Sequence, residues 1–133
     1  MTHYILDTDI CIYIIKKRPP AVFEKIEAFL PEQIFISSVT WGELVYGAEK
    51  SHYCEKNHEA LKSFVQPFTI APFDHDAAFE LGRIRAHLEK KGQLIGIFDL
   101  MIAAHAIALD FKLVTNNVRE FRRVPNLRIE NWT

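Results

Sequence analysis

Three acids of this chain stand in apolar surroundings: Asp7 in ILDTDI, Glu43 in WGELVYG and Asp99 in GIFDLMIA. A buried, unpaired carboxylate is expensive, so each needs a partner or a purpose. Each has a local structural role open to it. Asp7 or Asp9 can cap a helix starting near Ile10, and Asp99 one starting at Leu100. Glu43 completes Thr40-Trp41-Gly42-Glu43, which fits an S/T-x-x-E capping box. Taken together they point to a different chemistry. Strand ends and helix starts favour negative charge, and a fold can gather such positions at one edge of a sheet. Carboxylates brought together there raise one another's pKa unless a cation sits among them. Oxygen donors without clustered His or Cys suit Mg²⁺ or Mn²⁺, not zinc. That donor set suits metal-assisted hydrolysis of a phosphodiester.

The elements that must position these acids alternate short apolar runs with helical stretches. Tyr4–Leu6 reads as a strand that ends at Asp7. Asp9–Lys17 and Ala21–Leu30 read as helices divided by Pro19-Pro20 and stopped by Pro31. Ile34–Ile36 is a second strand, Val39–Lys50 a helix opened by Ser37, Ser38 or Thr40, and Glu55–Val65 a further helix. Phe68–Ala71 is a possible strand. Asp76–Lys91 carries an apolar stripe of Ala77, Leu81, Ile84 and Leu88 and stops at Gly92. Leu100–Leu109 reads as a buried helix, Lys112–Thr115 as a strand, Asn116-Asn117 as a turn and Leu127–Glu130 as a late edge strand. Interleaved strands and helices predict an α/β fold, one domain with a mainly parallel sheet of four to five strands flanked by helices. Ligands of such sheets collect beyond the carboxyl ends of the strands, which is where Asp7 and Asn116-Asn117 fall.

Composition is consistent with this. A chain of 133 residues, 49% hydrophobic and 25% charged, can build a real core. No apolar stretch approaches a membrane span, and the start lacks a basic region followed by a small-residue cleavage site. Cys11 and Cys54 have no metal or redox spacing, which fits reduced thiols of a cytoplasmic protein. Net charge is −1, yet setting aside Asp7, Asp9, Glu43, Asp99 and Glu120 from the 17 acids leaves 12 against 16 Lys and Arg. A neutral total can therefore hide a basic, phosphate-binding surface around an acidic centre.

Other groups have plainer readings. His105, within an apolar helix, packs. Gly42 and Gly47 point to close helix packing. Basic residues at 16–18, 83, 85, 90–91, 119 and 122–123 form solvated faces by default. Arg85, at the head of an R-x-x-L-x-x-x-G-x-x-I-G block, can contact a substrate phosphate or pair with a site acid. Ile12, Ile15, Val22, Ile26 and Phe29 form either ordinary core or a groove for a partner helix.

Four blocks carry a family resemblance: YILDTDICIYIIK, ISSVTWGELVYGAEKS, IRAHLEKKGQLIGIFDLMIAAHA and LVTNNVREFRRVPNLRIENW. The chain resembles, from end to end, PIN-domain ribonucleases of the VapC type, toxins of bacterial toxin–antitoxin pairs. Among these it is similar to members that cut the anticodon stem-loop of initiator tRNA. The resemblance implies that Asp7, Glu43 and Asp99 bind Mg²⁺, with Mn²⁺ able to substitute, and that a hydroxyl of Thr8 or Thr115 supports them. It implies a VapB-type antitoxin that inserts a basic side chain among the acids, and a symmetric homodimer. Many PIN domains carry a fourth aspartate after the last core strand, where this chain has Asn116 and Asn117. Asparagine can orient water or substrate but brings no charge. Glu120, one helical turn onward, can reach in instead.

Two rivals remain at this level. Asp7-Thr8-Asp9 fits the D-x-D of phosphatases that use an aspartyl nucleophile, although Cys11 is atypical and no later lysine with paired acids follows. The missing fourth aspartate also allows a PIN-like protein that binds RNA or a partner without cutting.

Overall fold

The computed structural model describes all residues, 1–133. Its centre is a five-stranded sheet, parallel throughout, of order β3-β2-β1-β4-β5. The strands are β1 (Tyr4–Leu6), β2 (Ile34–Ser37), β3 (Thr69–Ala71), β4 (Lys112–Val114) and β5 (Ile129–Glu130). The helices are α1 (Thr8–Lys16), α2 (Pro20–Glu27), α3 (Ser38–Glu49), α4 (Cys54–Val65), α5 (His75–Lys90), α6 (Ile97–Leu109) and α7 (Val118–Phe121). A single turn of 3₁₀ helix, Pro31–Gln33, leads into β2.

Parallel sheets are covered on both faces, so their strands are apolar on both sides. In β1 the alternation divides two cores. Tyr4 and Leu6 pack with Ile10, Ile14, Val22 and Ile36 under α1, α2 and α3. Ile5 points the other way, into a second core with Ile84, Leu88, Leu100, Ile102 and Phe121 beneath α5 and α6. The same split separates Leu113 from Val114 in β4. Both halves of the core therefore meet at β1, and the strand order reverses there: β2 and β3 lie to one side, β4 and β5 to the other. Such a reversal leaves a crevice at the carboxyl ends of β1 and β4, and Asp7 and Thr115 stand at those two ends.

The expected architecture holds, with boundaries corrected. Helix α6 begins at Ile97, not Leu100, behind Gly96, so Asp99 sits within its first turn and does not cap it. Ser37 caps α3 by accepting the Val39 N–H at 3.1 Å, so Glu43 belongs to no capping box. Asp7, not Asp9, caps α1. A Cβ placed on Gly42 or Gly47 would meet nothing within 4 Å, so neither glycine serves close packing. The residues after Asn117 form a short helix, α7, whose Phe121 is fully buried. Of the five apolar N-terminal residues, Val22 and Ile26 are core. Ile12 and Ile15 are partly buried and line an open cavity of about 270 Å³ with Leu44 and Leu61. No helix is long and apolar enough to cross a membrane.

Candidate active site

Asp7 follows β1 directly. Its backbone N–H donates to the Val114 carbonyl at 3.0 Å, extending the β1–β4 ladder by one bond. Its side chain turns to the start of α1, where Oδ1 accepts the Ile10 N–H at 2.9 Å. The Thr115 hydroxyl is a further partner of the carboxylate. Thr115 is itself fully buried, and its Oγ1 accepts the Asn117 N–H at 2.9 Å. Asp7 is only 4% exposed. Burial is the largest influence on it and pushes its pKa up to about 7. The Thr115 and Ile10 hydrogen bonds oppose this, and the charges of Asp9 and Asp99 add to it.

Asp99 reaches the same crevice from α6. Its pKa is pushed up to about 6, first by burial and then by Glu120, Glu43 and Asp9. Three segments, 21, 56 and 90 residues away in sequence, thus bring their charge to one aspartate. Glu43 projects from the middle of α3 and accepts the Thr8 hydroxyl at 2.7 Å; Thr8 Oγ1 also lies 3.4 Å from that of buried Thr40. None of Asp7, Asp9, Glu43, Asp99 and Glu120 forms an ion pair with a lysine or arginine. Five carboxylates share one end of the sheet without a protein cation among them.

The remaining expected residues divide. Thr8 and Thr115 both support the site, each on a different acid. Asp9 is exposed on the first turn of α1, and its charge bears on both aspartates. Asn116 turns away from the acids: its amide donates to the Tyr13 hydroxyl at 2.8 Å. Asn117 makes no side-chain cap at the start of α7, while Glu120 faces Asp99 closely enough to raise it. Arg85 is exposed on α5 and forms no ion pair with any of the acids, so of its two expected roles contact with a phosphate is the one left open. His105 is buried, with Nδ1 2.8 Å from Ser37 Oγ and its ring edge-on to Phe73, a packing role as expected.

Three features escaped the sequence reading. Thr40 lies beside Thr8, and Tyr13 holds Asn116 away from the acids, both only through chain crossings. Ile97 and Phe98 are about half exposed immediately before Asp99. Phe98 and Met101 form one wall of an open cleft of about 710 Å³ whose other side carries Thr8, Glu43 and Lys50. Only the last left a sequence signal: apolar residues at the outer start of a helix whose core face lies elsewhere.

An acid-lined crevice at the strand-order reversal of a parallel α/β sheet, free of protein cations, defines a candidate cation-dependent hydrolase. Comparison with known proteins narrows this. The family model of the PIN domain matches residues 4–127. The chain is 45% identical over 130 residues to Ribonuclease VapC2 of Rickettsia felis, covering 97% of each. It is 44% identical over 133 residues to the tRNA(fMet)-specific endonuclease VapC of Shigella flexneri, covering 100% of each. Among solved structures, it superposes on DNA-bound VapBC from Salmonella typhimurium with a TM-score of 0.94, at 41% identity and full coverage of both chains. The chain belongs to the PIN-domain family and, within it, to the VapC ribonucleases. PIN-domain nucleases depend on divalent metal ions, and the carboxylate donors gathered here fit such a cation. The phosphatase reading of Asp7-Thr8-Asp9 is overturned by this membership.

Proposed function

We propose that this protein is a Mg²⁺-dependent endoribonuclease, the toxin of a toxin–antitoxin pair, and that it cuts initiator tRNA in the anticodon stem-loop to stop translation. The observation that carries the reading is Asp7: a carboxylate almost wholly buried, raised to about 7, with acids instead of bases for neighbours. A cation is what makes that arrangement favourable near neutral pH. The substrate follows from the named activity of the Shigella flexneri relative. The partner, a VapB-type antitoxin, follows from VapBC complexes such as the Salmonella typhimurium one.

Asp7, Asp99 and Glu43 would hold the ion, with Glu120 as the fourth acid in place of the missing aspartate. When bound, Mg²⁺, for which Mn²⁺ can substitute, supplies Lewis-acid stabilisation of the phosphate and an activated water. The chain's own residues position that chemistry. The Ile10 N–H and the Thr115 hydroxyl hold the Asp7 carboxylate in its ionised form, opposing burial. The Thr8 hydroxyl fixes the rotamer of Glu43. Arg119 and Arg122, exposed on and just after α7 beside Glu120, bind the RNA backbone.

The test incubates protein freed of any partner with total tRNA and Mg²⁺ or Mn²⁺, beside Asp7→Asn and an EDTA control. One tRNA cut in its anticodon stem-loop, with 3′-hydroxyl ends and no product in either control, supports the proposal. A 2′,3′-cyclic phosphate end, or RNA bound but uncut with either metal, overturns it.

A further inference from the structure

A second group of metal-ligating side chains lies away from the acidic crevice. Glu49 ends α3 and Cys54 opens α4; His58 follows four residues on, and so stands one turn along the same helix face. The three converge. His58 Nε2 is 3.1 Å from Glu49 Oε1, Cys54 Sγ is 3.9 Å from Glu49 Oε2, and one donor atom from each lies within 4.8 Å of the others. Neighbouring donors on a tetrahedral zinc are separated by about 3.3 to 3.6 Å, given its bond lengths to sulfur, nitrogen and oxygen. The two Glu49 spacings bracket that range, and rotamer adjustment of Cys54 or His58 as well as of exposed Glu49 closes the set, whose donor atoms lie within 4.8 Å of one another. Glu49 is six residues beyond Glu43 on α3, about 9 Å further along the helix axis.

The donor chemistry also differs from that of the crevice. One thiol, one imidazole and one carboxylate suit a borderline-soft ion, whereas all-oxygen sets suit Mg²⁺. Cys11, the other thiol, is fully buried in the core. Cys54 and His58 are half-buried, open to an ion from solvent yet held by the helix.

We propose that Glu49, Cys54 and His58 form a zinc site at the corner between α3 and α4, separate from the nuclease centre. Three protein ligands leave the fourth tetrahedral position to water or to a donor from another molecule. Binding displaces the thiol proton of Cys54 to solvent, one proton per zinc, because the thiolate is the ligand. Occupancy ties the end of the helix that carries Glu43 to the start of α4. The site rests on its own geometry and stands whether or not the chain cuts RNA.

Cobalt(II), a spectroscopic stand-in, and zinc are each titrated into wild type, Asp7→Asn, Cys54→Ser and His58→Gln. Wild type and Asp7→Asn are expected to develop the near-ultraviolet thiolate-to-cobalt absorption, bleached by one equivalent of zinc. Cys54→Ser abolishes the band. His58→Gln weakens zinc by at least about 100-fold, since loss even of outer partners costs 10- to 100-fold. Saturating zinc raises Tm by roughly 5 to 10 °C in wild type and not in the two ligand variants. No thiolate band in wild type overturns the site. So does undiminished zinc affinity in both Cys54→Ser and His58→Gln, or zinc binding that Asp7→Asn alone removes.

Discussion

The Thr8 hydroxyl donates to Glu43 Oε1 at 2.7 Å across 35 residues of chain. It joins the first residue of α1 to the middle of α3 and so sets the distance between the β1 end, with Asp7, and the acid that α3 supplies. A hydrogen bond to a charged group contributes about 1.5 to 3 kcal/mol. Thr8→Val is therefore expected to lower single-turnover cleavage by about 10- to 100-fold. Thr8→Ser, which keeps the hydroxyl, stays close to wild type. Equal loss in both variants would show that the threonine methyl, not the hydroxyl, matters.

Asp7 gives a pH signature. Its pKa is about 7 in the folded chain, against about 3.9 in an unfolded one. The folded state holds the proton more tightly, so this contribution is complete below pH about 4 and is lost as pH rises through 7. Metal-free protein should lose stability over that window, and Mg²⁺ should restore more of it at pH 8 than at pH 5. Asp7→Asn keeps an acceptor for the Ile10 N–H and removes the charge. Metal-free Asp7→Asn is expected to exceed wild type at pH 8 by on the order of 4 kcal/mol, while losing cleavage. Denaturant melts of both proteins at pH 5 and pH 8 check this.

Glu120 and Asn117 compete for the role of the missing fourth aspartate, and only Glu120 bears on Asp99. Glu120→Gln is expected to raise the Mg²⁺ concentration for half-maximal cleavage by about 10-fold or more. Asn117→Ala, whose side chain caps nothing, should shift it little. The reverse outcome would return the fourth position to the asparagine.

Arg119 and Arg122 lie three residues apart, both exposed and without a carboxylate partner. Replacing both by Ala should weaken RNA binding across sequences and flatten the salt dependence. Each lost phosphate contact to single-stranded RNA reduces the log–log slope by about 0.7. An unchanged slope, measured on cleavage-dead Asp7→Asn protein, would place the RNA elsewhere.

Much of the molecule was legible from local pattern. Tyr4–Leu6 reads as a buried strand because both its faces are apolar, and Ala77, Leu81, Ile84 and Leu88 announce α5 because 3.6-residue periodicity is local. Asp7, Glu43 and Asp99 stood out because their surroundings could not solvate a charge. Boundaries were less legible where a cap competes with a neighbour. Of Ser37, Ser38 and Thr40, the three candidates for opening α3, only the structure singles out Ser37, and Gly96 starts α6 three residues before the expected position.

What the sequence determined by itself was the set of elements and the short list of charged residues without local partners, since both depend on near neighbours in the chain. Tertiary structure alone decided which of those residues meet. Strand order brings β4 beside β1 across more than 100 residues, so Thr115 reaches Asp7 and Asn116 is drawn off to Tyr13. Burial of Phe121 anchors α7 and thereby turns Glu120 toward Asp99. The turn between α3 and α4 likewise brings Glu49 to Cys54 and His58. Contacts of this kind depend on how helices pack on the two faces of the sheet, and no local spacing encodes them.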